Sequence, residues 1–184
     1  DVVGGEFHDV GISGDAATTG VTAHFPLGNR RGDRFSIVAG YRRTDSSTYL
    51  EGYRLTGYTL ETWRVGTSGS FVRQDGAPEW GYAYNLVFGR DPIENEDFSK
   101  HTVAGTFKRV FRNNTVLTAT VSGQLTDSVL LPDSEQYRLG GMSTVRGYLS
   151  DRLTGDEGYL VNVEWTGTWR PWLQWTLYLD HGGV

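Results

Sequence analysis

The sequence predicts an all-β fold, an antiparallel transmembrane β-barrel wall of about eight strands. Three observations carry this. Apolar and polar residues alternate with period two over most of the 184 residues, and no stretch has helical period. The alternating runs are about ten residues or longer, the length a tilted strand needs to cross a bilayer. Strands of a soluble sandwich average about 5–6 residues. One face of the runs is rich in Gly, Ser, Thr and Asn, and the other carries Trp, Tyr and Phe towards strand ends. A wet lumen and an aromatic girdle would look this way. A soluble β-sandwich is the alternative the same alternation allows, and the run lengths count against it.

The elements follow in order. Asp1–Asp15 is Gly-rich and polar, without clear periodicity. A first strand covers about Ala16–Phe25, and the turn PLGNRRGD follows at Pro26–Asp33. Arg34–Arg43 sets Phe35, Ile37, Ala39 and Tyr41 against Ser36, Val38, Gly40 and Arg42. The polar stretch Thr44–Tyr58 reads as a longer connection. Thr59–Arg73 sets Trp63, Val65 and Phe71 against Arg64, Gly66, Ser68 and Ser70, and Asp75–Pro78 is a tight turn. Glu79–Arg90 is the clearest strand, with Trp80, Tyr82, Tyr84, Leu86 and Phe88 on one face. A medium loop at Asp91–Ser99 leads to a strand at Lys100–Phe111, a turn at Arg112–Asn114 and a strand at Thr115–Asp127. After a long segment, Tyr159–Trp169 carries Asn162 and Glu164 on its polar face. Arg170–Pro171 turns the chain into Trp172–His181, whose polar face carries Asp180. Short turns on one rim and long loops on the other are the bacterial outer-membrane pattern.

Composition removes several function classes. There is no Cys, so neither a disulfide framework nor a thiolate metal site can form. The formal charge is -5 and the charges are scattered, so no basic footprint argues for nucleic acid. No apolar run approaches the ~18 residues of a spanning helix, which leaves β-strand crossing open. His8, His24, His101 and His181 are not at metal-ligand spacing, and Ser143 has no His base nearby. No metal, cofactor or catalytic residue is expected.

The longest gap between strands, about residues 129–158, is far from a featureless loop. A segment of this length inside a β protein is usually functional or disordered. It holds the pair Gly140 and Gly141, then Val145-Arg146-Gly147-Tyr148, then Gly155, Asp156 and Gly158. The glycines let the backbone turn where a Cβ would clash. Arg146 presents a planar fork of donors that suits a carboxylate. The plainer reading is a surface loop with a solvated arginine.

SEQYRLGG, STVRGY and TGDEGYLVNVEW, in this order and spacing, resemble the haemolysin secretion/activation family. These are the TpsB transporters of two-partner secretion, of the ShlB/FhaC/HecB type, in the superfamily of the BamA assembly barrels. The resemblance implies that the loop folds back into the barrel lumen with Val145, Arg146, Gly147 and Tyr148 as its motif. Tyr178-Leu179-Asp180-His181-Gly182 looks like a second family element, an aromatic residue followed by x-Asp-x-Gly, with Tyr where Phe is more usual. If the loop enters the lumen, Arg146 can reach Asp180, with Glu164 as a second acceptor. A guanidinium buried by its own loop is expected to need a carboxylate. The other reading leaves Glu164 and Asp180 as carboxylates solvating a polar channel.

The resemblance further implies an integral bacterial outer-membrane protein. It would export one large unfolded partner, a TpsA-like exoprotein such as a haemolysin or adhesin, without ATP. Such a protein meets outer-membrane lipids and depends on the outer-membrane assembly machinery. The family's barrel has on the order of sixteen strands. Residues 1–184 are therefore expected to be an internal piece of a C-terminal β-barrel domain, with the lumen loop at about 129–158 and with POTRA modules and terminal strands outside it. A BamA- or TamA-like assembly factor is the alternative, with a passive porin or a barrel enzyme behind it.

Overall fold

The computed structural model of the chain describes residues 12–30, 32–72, 77–128, 130–141, 144–146, 153–170 and 172–184. Its strands are β1 (Ile12–Arg30), β2 (Asp33–Leu50), β3 (Tyr53–Phe71), β4 (Glu79–Arg90), β5 (Asp97–Val110), β6 (Val116–Thr126), β7 (Tyr137–Leu139), β8 (Leu153–Gly155), β9 (Gly158–Arg170) and β10 (Leu173–Gly183). Eight of them form one antiparallel sheet in the order β1-β2-β3-β4-β5-β6-β9-β10. The short strands β7 and β8 lie in the β6–β9 segment and pair only with each other. The sheet is not closed: among the described residues, β1 and β10 each keep one edge unpaired.

Register sorts the side chains onto two faces, because directly opposed residues of neighbouring strands point the same way. Phe25 stands opposite Ile37, Tyr41 opposite Trp63, Trp63 opposite Phe88, and Tyr84 opposite Val103. Further along, Leu117 stands opposite Trp165 and Trp165 opposite Leu177. This outer face is apolar and exposed along its length. An exposed apolar patch of this extent is a surface for lipid or another protein. Aromatic pairs gather at two levels of the sheet. Phe35–Phe71, Trp80–Phe107 and Trp165–Trp175 lie towards one rim, with ring centroids 5.2, 4.5 and 5.6 Å apart. Tyr41–Trp63 lies towards the other rim at 4.8 Å. Two belts flanking an apolar band are the outer-membrane arrangement.

The packed core is on the opposite, inner face. Val38, Leu60, Val87, Phe98 and Leu160 are buried there, and Leu131 and Leu139 of the β6–β9 segment are buried over them. Leu60, Phe98 and Leu131 form one cluster, with Tyr58 against it. The core is therefore small and lies between the sheet and its own loop. Thr62, Lys100, Gln124 and Glu135 are buried at the same level, so this core is also polar.

The structure corrects two sequence expectations. Thr44–Tyr58 is not a loop: β2 runs to Leu50, β3 starts at Tyr53, and only Glu51 and Gly52 turn the chain. Both have positive φ, 47° and 86°, as a two-residue hairpin of the right twist requires. β1 is likewise longer than Ala16–Phe25: it runs from Ile12 to Arg30, so most of the expected turn Pro26–Asp33 is paired strand. At about 3.3 Å per residue, the 18 residues of β2 exceed what a tilted strand needs to cross the hydrocarbon. The surplus, towards the hairpin tip, has no uniformly apolar face in its sequence, so it shows no apolar alternation.

The rim bearing the turns at residues 111–115 and 171–172 carries no connection longer than the seven residues 72–78, while the other carries the long β6–β9 segment at 127–157 beside the two-residue turn at Glu51 and Gly52. Short turns face the periplasm in outer-membrane barrels. In the whole protein, Glu51→Cys should react with an impermeant thiol reagent on intact cells, and Asn113→Cys should react only after lysis. The opposite labelling pattern would reverse the orientation.

Candidate functional site

The inner faces of β9 and β10 provide the floor of the site. Asn162 and Glu164 alternate with apolar neighbours on β9, and the register sets Asp180 directly opposite Asn162 and Tyr178 opposite Glu164. On the other side of β9, Thr120 of β6 stands opposite Asn162 and Thr118 opposite Glu164. Period-two spacing thus places an amide, two carboxylates and an aromatic ring on one patch of the inner wall.

The loop reaches this patch through a compact turn. Gly140 and Gly141 have φ of 120° and 88°, which a Cβ would oppose. The Thr144 hydroxyl closes the turn, bonding the Gly140 amide and carbonyl at 2.7 Å each. Asn162 Nδ2 donates to the Thr144 carbonyl at 2.7 Å, which ties the turn to β9. The next residue but one is Arg146.

Arg146 is held by both carboxylates. Its Nε and Nη2 donate to Asp180 Oδ2 and Oδ1, each at 2.7 Å, as a two-pronged fork. Its Nη1 donates to Glu164 Oε1 at 2.6 Å. Its backbone N–H adds a third bond to Asp180 Oδ2 at 3.1 Å. Asn162 Nδ2 donates to Asp180 Oδ1 at 2.7 Å, so the aspartate is satisfied from three sides. The Tyr178 ring lies under the guanidinium, 3.9 Å from ring centroid to Cζ, close enough for a cation–π contact. Asp180 is 4% exposed and Glu164 42%, so Asp180 is the acceptor that matters more. A bidentate, charge-assisted pair in a sheltered site is the strong kind of ionic hydrogen bond.

The aromatic-x-Asp-x-Gly spacing now has a physical reading. Tyr178, Asp180 and Gly182 fall on the same face because strand side chains alternate. Tyr178 supports the guanidinium and Asp180 binds it. At Gly182 an added Cβ would come 3.3 Å from the Val145 side chain and 3.1 Å from that of Leu139, so the glycine leaves room for the loop. Val145 and Arg146 are thus seated by two positions of one strand. Gly147 and Tyr148 lie outside the described residues. Gly155 and Gly158 are at strand ends with no positive φ, and they serve by being small: an added Cβ at Gly158 would meet the Tyr137 ring.

A second group of contacts, which the sequence reading did not single out, holds the base of the loop. Glu135 lies in a single 3-10 turn, Asp133–Glu135. Its backbone carbonyl accepts from Lys100 Nζ at 2.5 Å and from Gln124 Nε2 at 3.0 Å. Its carboxylate faces Lys100 Nζ at 3.0 Å and is bonded by Arg42. Gln124 also donates to the Asp156 carbonyl at 2.9 Å, and the Asp156 carboxylate accepts from the Leu131 amide and Gln136 Nε2 at 3.2 and 3.0 Å. Both limbs of the loop are joined by these bonds. Lys100 and Gln124 do stand on polar strand faces, but nothing local to them names Glu135 as their partner.

Among the described residues, no group of three His, Asp or Glu side chains is placed to hold a metal ion. The arrangement offers no activated nucleophile and no acid–base pair. What it can do is hold a loop against a wall.

An open antiparallel wall with an apolar outer face, and a loop bound by ionic bonds to its polar inner face, is the construction of an outer-membrane-type β-barrel. The chain belongs to the haemolysin secretion/activation protein family ShlB/FhaC/HecB, which it matches over residues 1–184. This is a family of secretion barrels, not of enzymes, and the match does not favour the assembly-factor alternative. No curated protein matches the chain. Among solved structures, it is similar to CdiB from Escherichia coli, with a TM-score of 0.80 and 19% identity over 93% of this chain and 35% of that one. It is also similar to CdiB from Acinetobacter baumannii, with a TM-score of 0.75 and 16% identity over 94% of this chain and 32% of that one. The chain thus spans about a third of the length of either CdiB, and these likenesses are likenesses of fold.

The unequal roles of the two carboxylates can be measured. Asp180→Asn removes the charge facing the fork and should weaken loop anchoring by about 3 kcal/mol, the low end for breaking a buried pair. Glu164→Gln removes a half-exposed partner and should cost about 1 kcal/mol or less. Protease accessibility of the loop in the whole protein should rise strongly for the first and little for the second. Equal effects would contradict the ranking.

Proposed function

We propose that the chain is part of the wall and lumen loop of an outer-membrane transporter that exports one large unfolded partner protein in two-partner secretion. Residues 1–184 form part of a C-terminal barrel domain of on the order of sixteen strands. Periplasmic POTRA modules and the closing strands belong to the longer protein. The apolar outer face meets outer-membrane lipids, and the barrel is inserted by the assembly machinery of that membrane. The partner is a TpsA-like exoprotein, a haemolysin or adhesin, that passes through the lumen without ATP.

The single observation that carries this reading is the Arg146 clasp. A plain pore needs only a wet inner wall. Here a loop from the outer rim is bound inside by a bidentate ionic bond that a partner or a domain motion could exchange. Family membership supports the direction of the inference, because the family is one of secretion proteins. The unpaired edges of β1 and β10 support a wall completed by further strands, since open edges do not stand in hydrocarbon.

A loss of about 3 kcal/mol at the clasp would shift the balance between loop arrangements on the order of a hundredfold. Arg146→Ala in the whole transporter should therefore lower export of the partner by about tenfold or more, at unchanged barrel abundance. Asp180→Ala should behave alike, and the double variant should be little worse than either, since both break one interaction. Arg146→Lys should restore only part of the activity, because an ammonium lacks the planar fork. Secretion at the unaltered level from Arg146→Ala, with equal folded barrel, would return Arg146 to an ordinary lumen charge.

A further inference from the structure

The loop touches the wall at two levels. Asn162, at the Arg146 clasp, pairs with Thr120 of β6, whereas Gln124, at the base of the loop, pairs with Gly158. The two levels are four residues apart on each strand, about 13 Å at ~3.3 Å per residue. They share no bond partner among the described residues. The lower fastening ends at β9 and β10. The upper one extends the other way.

Glu135 is the centre of the upper fastening. Its side chain is 2% exposed and lies between Lys100 on β5 and Arg42 on β2. β3 and β4 separate those strands in the sheet. Three strand spacings of about 4.8 Å make the reach from β2 to β5 roughly 14 Å. Arg42 therefore does not join neighbours. It crosses the curve of the wall to reach the loop. Between the loop base and that wall lies a cavity of about 390 Å³, lined among others by Thr22, Arg42, Arg64, Asn85, Lys100 and Glu135. Arg42 is 46% exposed, so its bond can break and re-form, while Lys100 and Gln124 keep the carbonyl of Glu135.

We propose that Glu135 is a positioning residue for transport, a second fastening that holds the loop base across the inner face against β2, independently of the Arg146–Asp180 bond. Its consequence for transport rests on the export reading above. Its mechanical content does not. The Arg146 bond alone fixes the loop tip to the last two strands of the sheet. The Glu135 bonds fix the base to the far wall and so set how much of the lumen the loop obstructs. Full clearance requires both to open.

The test is single-channel recording of the whole transporter in planar bilayers, with no partner present. Arg42→Gln leaves the Lys100–Glu135 contact in place and alters a half-exposed side chain, so folding should be preserved. It should raise the frequency of large-conductance openings about fivefold, the change expected for a half-exposed pair. Glu135→Gln, compared at equal amounts of heat-modifiable folded barrel, should raise it further. Combined with Arg146→Ala, the effect of Arg42→Gln should multiply rather than saturate. Openings at the unaltered frequency in Arg42→Gln, or a double variant no different from Arg146→Ala alone, would overturn the second fastening. Export assays on the same variants separate the two readings. More openings with undiminished export in Arg42→Gln would overturn the role in transport.

Discussion

A charge removed from water must be met by another charge, and the inner wall of this sheet is arranged around that requirement. Arg146 is carried into the wall by its loop and is met by a carboxylate that is 4% exposed. Without Asp180 the guanidinium would lie under the loop with only Glu164, itself 42% exposed, to balance it. The surrounding features follow. Asn162 orients the aspartate, Tyr178 closes the face of the guanidinium, Gly182 clears space for Val145, and Gly140 and Gly141 make the turn that delivers the arginine. Each is a small contribution, and together they leave one geometry for the loop tip.

The sheet is inverted relative to a soluble protein. Its exposed face is apolar, and its buried side chains stand on the face rich in polar groups. Hydrophobic burial then presses the loop onto the wall only at a few points, through Leu131 against Leu60 and Phe98 and through Leu139. Elsewhere hydrogen bonds to charged groups take its place. They are directional and they break one at a time. Such a contact suits a part that must be both fixed and removable.

The middle of each strand is legible in the sequence because its two faces differ in kind. An apolar outer face and a polar inner face impose period two, and Trp63, Trp80, Tyr84 and Trp165 announce the outer face. Towards the β2–β3 tip neither face is uniformly apolar. Thr44–Tyr58 then loses its alternation and reads as a loop, although it pairs to the turn at Glu51 and Gly52. The carboxylates near Arg146 were legible as types and faces, since Glu164 and Asp180 alternate with apolar neighbours. Their distances to it were not. The contact of Glu135 with Arg42 joins a loop residue to a strand residue 93 positions away, and only register and curvature bring them together. Glu135 sits inside SEQYRLGG and Lys100 is a cation on an inner face, which was the one available signal.

The inverted core has a thermodynamic consequence. Releasing the loop uncovers Glu135, Lys100 and Gln124 together with Leu60, Phe98, Leu131 and Leu139, and polar hydration lowers heat capacity where apolar hydration raises it. The two contributions oppose each other, so the loop equilibrium should curve less with temperature than the unfolding of an apolar core does. Ionic strength is the variable that governs it, because counter-ions compete directly for half-exposed partners such as Arg42 and Glu164. A lumen built this way responds to the electrolyte around the cell far more than to the warmth of its surroundings.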